Sequence, residues 1–282
     1  MNLWYALVDL LPFEWAETGR MLFMKNALLA ILVISPLFGL LSTMVVEKKM
    51  SFFSDALGHS AFTGIAAGTR AGFTDPSWCA VALAICFALL FTWVRERTNL
   101  ASDTIIGVFS STAVALGIFL STIGGRSFTK FNTLLVGDIL SVTPGKIGLL
   151  AVILLLVVLL WLGSINQLTL SAIHPALARS RGVRLWQQEA LFNCAVAVVV
   201  TLTMTWVGLL VINSLLILPG AAARNVSGNL RQYTGISLLV AVLSGIAGLM
   251  VSYYIGTSTG ASVTLILAIC FAGTFCIRNR VG

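Results

Sequence analysis

The stretch SFFSDALGHSAFTGIAAG, Ser51–Gly68, decides how the rest of the chain is read. It carries Asp55 and His59 four residues apart, a spacing that puts both side chains on one face of a helix, one turn apart. Around them lie Ala56, Gly58, Ser60, Ala61, Gly64 and Gly68, small residues that let a neighbouring backbone approach closely, as at helix contacts in membranes. The flanking sequence is strongly apolar. A carboxylate and an imidazole within such a sequence are costly, and ionisable groups there mark transport paths or paired sites.

Outward from this stretch the chain is greasy throughout. Of 282 residues 58% are hydrophobic and 10% charged, with mean hydropathy +1.00. A soluble domain has about 25% charged residues, so the composition is that of an integral membrane protein. The apolar runs are long enough for helices of about 20 residues, and the alternation of a membrane barrel is absent. The fold class is therefore all-α and polytopic. The net charge of +7 does not indicate nucleic-acid binding, because Lys and Arg are scattered through short loops and never interleaved with aromatic residues. Five cysteines, Cys79, Cys86, Cys194, Cys270 and Cys276, form no CxxC pair and read as inert thiols in apolar runs.

Residues 1–20 lack a basic start and carry Asp9, Glu14 and Glu17 among Trp4, Tyr5, Phe13 and Trp15. They read as an amphipathic interfacial helix preceding a membrane domain over residues 21–282. Spans are expected over Leu22–Val46 (with Pro36 kinking it), across the opening stretch, and over Ser77–Val94, Ser102–Ile123 and Ile147–Gly163. Further spans cover Ala190–Trp206, Tyr233–Ile255 and Ala261–Ile277, and the shorter run Val207–Ala223 contains Pro219-Gly220. Counting basic loops places Lys48, Arg95, Arg179, Arg224 and Arg278 on one side only if Val207–Ala223 crosses; the total is eight or nine spans with the N-terminus outside. No polar segment is long enough for an ATPase domain, so the energy for any transport comes from a partner or an ion gradient.

An imidazole and a carboxylate together suit zinc, manganese or ferrous iron better than calcium or magnesium. Asp138, in LLVGDIL, is the other acid embedded in apolar sequence and the candidate third ligand. The bland alternative is that Asp55 caps its helix and His59 bonds a carbonyl. Glu189 and Asp103 fall near span ends, where capping is the ordinary role. The segment 173–183, with Pro175 at a first helical position and Gly182 after the last turn, reads as a short helix between spans. Its basic residues are either merely solvated or part of a docking knob for another subunit.

Five stretches occur in order: Ser51–Gly68, SDTIIGVFSSTAVALG at 102–117, LLVGDILSVTPGK at 134–146, VGLLVINSLLILPGAAARN at 207–225, and SYYIGTSTGASVTL at 252–265. Together they resemble the permease subunit of bacterial ABC importers for zinc, manganese and iron, over nearly the whole chain. The resemblance implies a protein of the bacterial plasma membrane that is not itself an enzyme and holds no permanent cofactor. It implies pairing with a second permease subunit, two copies of a cytoplasmic ATPase, and an extracytoplasmic metal-binding protein. It further implies that Asp55, His59 and Asp138 line the metal path, and that Pro175, Ala176, Leu177, Arg179 and Arg181 belong to a coupling helix seated on the ATPase. His174 departs from the pattern, since many relatives carry an acid before that proline, and Ser54 stands at a variable position. An ion-coupled secondary carrier remains the rival reading. An intramembrane metalloprotease is disfavoured, because the two histidines, His59 and His174, lie on different segments.

Overall fold

The computed structural model describes Trp4, Tyr5, Val8, and residues 21–98, 100–123, 137 and 139–281. Among the described residues there are ten α-helices: α1 (Leu22–Glu47), α2 (Phe53–Arg70), α3 (Ser77–Arg97), α4 (Ser102–Thr122), α5 (Pro144–Ile173), α6 (Pro175–Ser180), α7 (Leu185–Val207), α8 (Leu209–Val226), α9 (Leu230–Ile255) and α10 (Thr259–Val281). A single 3₁₀ turn, Ile139–Ser141, precedes α5. Eight of the helices are long and apolar enough to cross a membrane. The helix outside that set, apart from short α6, is α2, whose Asp, His, Ser and Gly content lowers its hydropathy. The run expected to be the doubtful crossing, Val207–Ala223, is within the set of eight as α8.

Helix α1 is the centre. It packs against α8, α9 and α5, while α2 is enclosed by α3, α4, α7 and α8. Small residues set the close approaches. A Cβ at Gly39 would lie 3.1 Å from Ala241 Cβ, and the Gly39 carbonyl accepts from Ser237 Oγ at 2.8 Å. Helix α8 runs through Pro219, which lacks an N–H for the helical ladder. Ser42 of α1 serves this region instead, accepting from Gly220 N at 2.8 Å and donating toward Ile217 O.

Directions follow from the ends that meet. Glu47, ending α1, pairs with Arg224 near the end of α8. Arg278 of α10 donates to Asn225, and Arg95 at the end of α3 reaches Glu189 near the start of α7. Arg70, ending α2, reaches the carbonyl of Ile123 after α4, at the opposite face. The run Val207–Ala223 thus returns to the basic face as α8, as the charge count requires.

One expectation is revised. Residues 164–173, which lie beyond the span expected over Ile147–Gly163, continue α5, which is 30 residues long. Trp4 and Tyr5 of the expected N-terminal helix bond to the start of α1: Trp4 Nε1 donates to Lys25 O at 3.1 Å and Tyr5 OH to Asn26 Oδ1 at 2.9 Å. The remainder of the proposed 1–20 helix lies outside the described residues, Val8 apart.

Candidate functional site

Asp55 sits in the first turn of α2, but it does not cap the helix. The N-cap is Phe52, and no side chain bonds there. The Asp55 carboxylate instead spans two partners: Oδ2 lies 3.4 Å from His59 Nε2, and Oδ1 accepts from Asn213 Nδ2 of α8 at 3.3 Å. The i,i+4 geometry expected of the opening stretch is therefore realised. Asp55 is 43% exposed at its side chain and His59 18%, so the pair faces outward from a packed helix. The opposite face, with Ala56, Leu57, Ser60 and Ala61, is buried.

The glycines around the pair hold α2 against its neighbours. A Cβ at Gly58, between Asp55 and His59, would lie 2.5 Å from Leu209 Cδ2, the first residue of α8. A Cβ at Gly64 would meet the backbone of Ala80 in α3 at 2.5 Å. Gly58 thereby seats Leu209, and one turn further along α8 brings Asn213 to the carboxylate.

Asn213 was not singled out from the sequence, although a lone amide inside VGLLVINSLLIL is itself a signal. Its Oδ1 is buried without a hydrogen-bond partner among the described residues. Its neighbour Ser214 accepts from Thr264 Oγ1 of α10 at 3.0 Å, which continues the polar seam into the SYYIGTSTGASVTL stretch. Ser54 Oγ is buried and unpartnered among the described residues, on the face of α2 turned away from solvent.

Asp138 lies outside the described residues. Its preceding residue, Gly137, has φ 59° and touches the break between α7 and α8: a Cβ there would overlap Gly208, itself at φ 92°. Only glycine fits a left-handed backbone in contact with another backbone. Gly137 is thus brought to the residue preceding Leu209. Among the described residues no third His, Cys, Asp or Glu joins Asp55 and His59.

At the basic face, α6 begins at Pro175 and ends before Gly182, whose φ is 76°. His174 makes no side-chain cap, and its carbonyl accepts from Ala178 N at 3.0 Å. Ala178 is fully buried, whereas Ala176, Leu177, Arg179 and Arg181 are exposed. Leu177 thus stands on the protein's surface with its neighbour as anchor.

Glu189, read as a cap, is instead an ion-pair hub. Its Oε1 lies 3.1 Å from Lys48 Nζ and its Oε2 2.8 Å from Arg95 Nη1. Lys48 is 1% exposed at its side chain and lies over the Phe192 ring. Burial pushes the Lys48 ammonium below the usual lysine range, against the opposing pull of Glu189. A cavity of about 410 Å³ lies beside this hub, lined also by Lys49, Pro175, Arg179 and Trp186.

The family model described as "ABC 3 transport family" matches residues 20–278. The chain is 29% identical over 258 residues to the high-affinity zinc uptake system membrane protein ZnuB of Haemophilus influenzae, covering 90% of this chain and 97% of that protein. It is 28% identical over 262 residues to the manganese import system permease protein ScaB of Streptococcus parasanguinis, covering 92% and 91%. Among solved structures, PsaBC from Streptococcus pneumoniae in complex with Fab superposes with a TM-score of 0.76 at 25% identity, over 98% of this chain and 95% of that one. The family match over residues 20–278 and the eight helices long and apolar enough to cross a membrane agree, and the chain belongs to the ABC 3 transport family as a multi-pass plasma-membrane permease subunit.

Proposed function

We propose that the chain forms the membrane pathway of an ATP-driven importer of a divalent transition metal, zinc or manganese before iron, with Asp55 and His59 as ligands in that path. The observation that carries this is the Asp55–His59 pair at 3.4 Å, open to one side of a helix whose opposite face is packed, and steadied by Asn213. A transported ion must exchange water for protein ligands and then leave, so a few accessible donors suit it better than a closed cage. Asp138 is the proposed third ligand, supported by the contact of Gly137 with the α7–α8 break. Asn213 orients the Asp55 carboxylate, as outer partners do for ligating groups.

The helix α6 is the proposed seat of a cytoplasmic ATPase, with Leu177 as the inserted side chain and Arg179 and Arg181 at the rim. Two ATPase copies, a second permease subunit and an extracytoplasmic metal-binding protein complete the assembly. The relatives named for zinc and manganese support the cargo class. The test is metal uptake, ion by ion, in cells co-expressing the cognate ATPase and binding protein. Uptake that stops on ATP depletion while the proton gradient is held supports the proposal. Uptake that instead follows the gradient makes the chain a secondary carrier.

A further inference from the structure

The turn joining α1 to α2 is tight and doubly fastened. Lys49 adopts a left-handed backbone, φ 55°, which costs a side-chain-bearing residue energy unless its surroundings impose it. The fastenings lie on either side of it. Lys48 reaches Glu189, while Met50, fully buried, accepts from Arg95 Nη1 at 3.5 Å through its sulfur. Arg95 also holds the other oxygen of Glu189. One carboxylate on α7 therefore secures the turn directly through Lys48 and, through Arg95, its continuation at Met50.

What lies on each side of this hub gives it meaning. In one direction, the turn opens into α2, where Phe53 is fully buried against Phe91 with ring centroids 5.0 Å apart, and Asp55 follows within the same turn of helix. In the other direction, α7 is joined to α6 by residues 181–184 alone, and Val183 N bonds back to Ala178 O at 3.0 Å. The cavity beside the hub is lined by Pro175 and Arg179 of α6 as well as by Glu189. A displacement of α6 has a short covalent route to the start of α7, and from there two charge-assisted contacts to the segment that bears Asp55.

We infer that Glu189 is a positioning residue that ties the movement of the α6 segment to the placement of Asp55, so that its loss separates ATP hydrolysis from metal movement. The inference rests on the proposed ATPase-driven reading. Glu189 itself touches neither metal nor nucleotide; it acts through the turn.

The experiment uses the full importer, permease with ATPase and binding protein, reconstituted in vesicles, with zinc or manganese imported per ATP hydrolysed as the readout. Wild-type complex must first show ATP-dependent uptake; if it shows none, the reading of function fails, whatever Glu189 does. Given that uptake, Glu189→Gln is expected to retain the ATPase and to hydrolyse ATP, with the metal-to-ATP ratio at least tenfold lower. Glu189→Asp, which keeps the charge, recovers a measurable part of the ratio. Glu96→Gln, an exposed charge loss at the same cavity, leaves it unchanged. Because removing one member of this partly buried ion-pair network leaves the Lys48 charge buried and unpaired, the triple change Lys48→Met, Arg95→Met and Glu189→Leu is measured alongside, since it leaves no charge without a partner. It too is expected to assemble and to lose the ratio. A wild-type ratio in Glu189→Gln or in the triple variant, or an equal loss in Glu96→Gln, overturns the inference.

Discussion

At the scale of the residue, the most telling contact joins Asp55 to Asn213, because it connects the helix bearing the metal-ligand candidates to one distant in sequence. Removing a ligand and removing the residue that orients it have different consequences. Asp55→Ala or His59→Ala is expected to abolish uptake at matched membrane levels, as each deletes a donor atom. Asn213→Ala keeps both donors and frees the carboxylate, so half-saturation for metal is expected to rise by about 10- to 100-fold while maximal uptake falls less. A concentration series of uptake by the three variants checks this; equal loss in all of them would make Asn213 a ligand in its own right. The Asp55–His59 pair was legible from spacing alone, since a helix brings i and i+4 together without tertiary help. Asn213 and Glu189 were not, because their partners are set by packing between helices far apart in sequence. A single acid near a span end looks like a cap until the cations of two other helices are seen around it.

At the scale of the element, α2 depends on its glycines more than on its polar residues. Gly64 lies against the backbone of Ala80, which cannot move aside as the end of a side chain can. Gly64→Leu is therefore expected to force α2 from α3 at a cost of about 1–3 kcal/mol or more, visible as reduced accumulation of folded protein and a lower Tm in detergent. The small-residue pattern of the opening stretch announced such a contact without identifying the neighbour. For α6 the expectation is the reverse, because Leu177 is exposed and structurally idle. Leu177→Asp should leave folding intact and release the ATPase, judged by co-purification, since burying a leucine side chain contributes about 1.5–3 kcal/mol. Arg181→Ala should weaken that association only slightly, as exposed charges contribute little. The bounds of α6 were readable from Pro175 and Gly182. Those of α5 were not, because Ser, Asn, Gln and Thr signal the end of a membrane span but not the end of a helix.

At the scale of the whole molecule, the meeting of helix ends sets which loops share a face. The link between α2 and α3 lies opposite the link between α3 and α4. With the native cysteines replaced by serine, Phe73→Cys is expected to react with a membrane-impermeant maleimide in intact cells, and Leu100→Cys only after permeabilisation. Labelling of both from outside would break the nine-helix crossing order. This arrangement was largely present in the sequence, since positive residues gather in alternate loops. The uncertain crossing, Val207–Ala223, is settled by the Glu47–Arg224 pair, a contact that no hydropathy profile contains.

The length of α5 bears on the surroundings of the assembled machine. Its exposed apolar stripe extends from Leu149 to Leu162, after which Ser164, Asn166 and Gln167 follow within an unbroken helix to Ile173. At 1.5 Å per residue, the part beyond Leu162 measures about 16 Å. Its end meets the charged ends of the other spans: Ser171 and Ala172 line one cavity with Glu47, Lys48 and Arg95, and Thr169 and Ile173 line another with Glu47 and Arg224. Helix α6 therefore begins where the ends of α1, α3 and α8 gather, and a protein seated on it bears on several spans at once rather than on a loose loop.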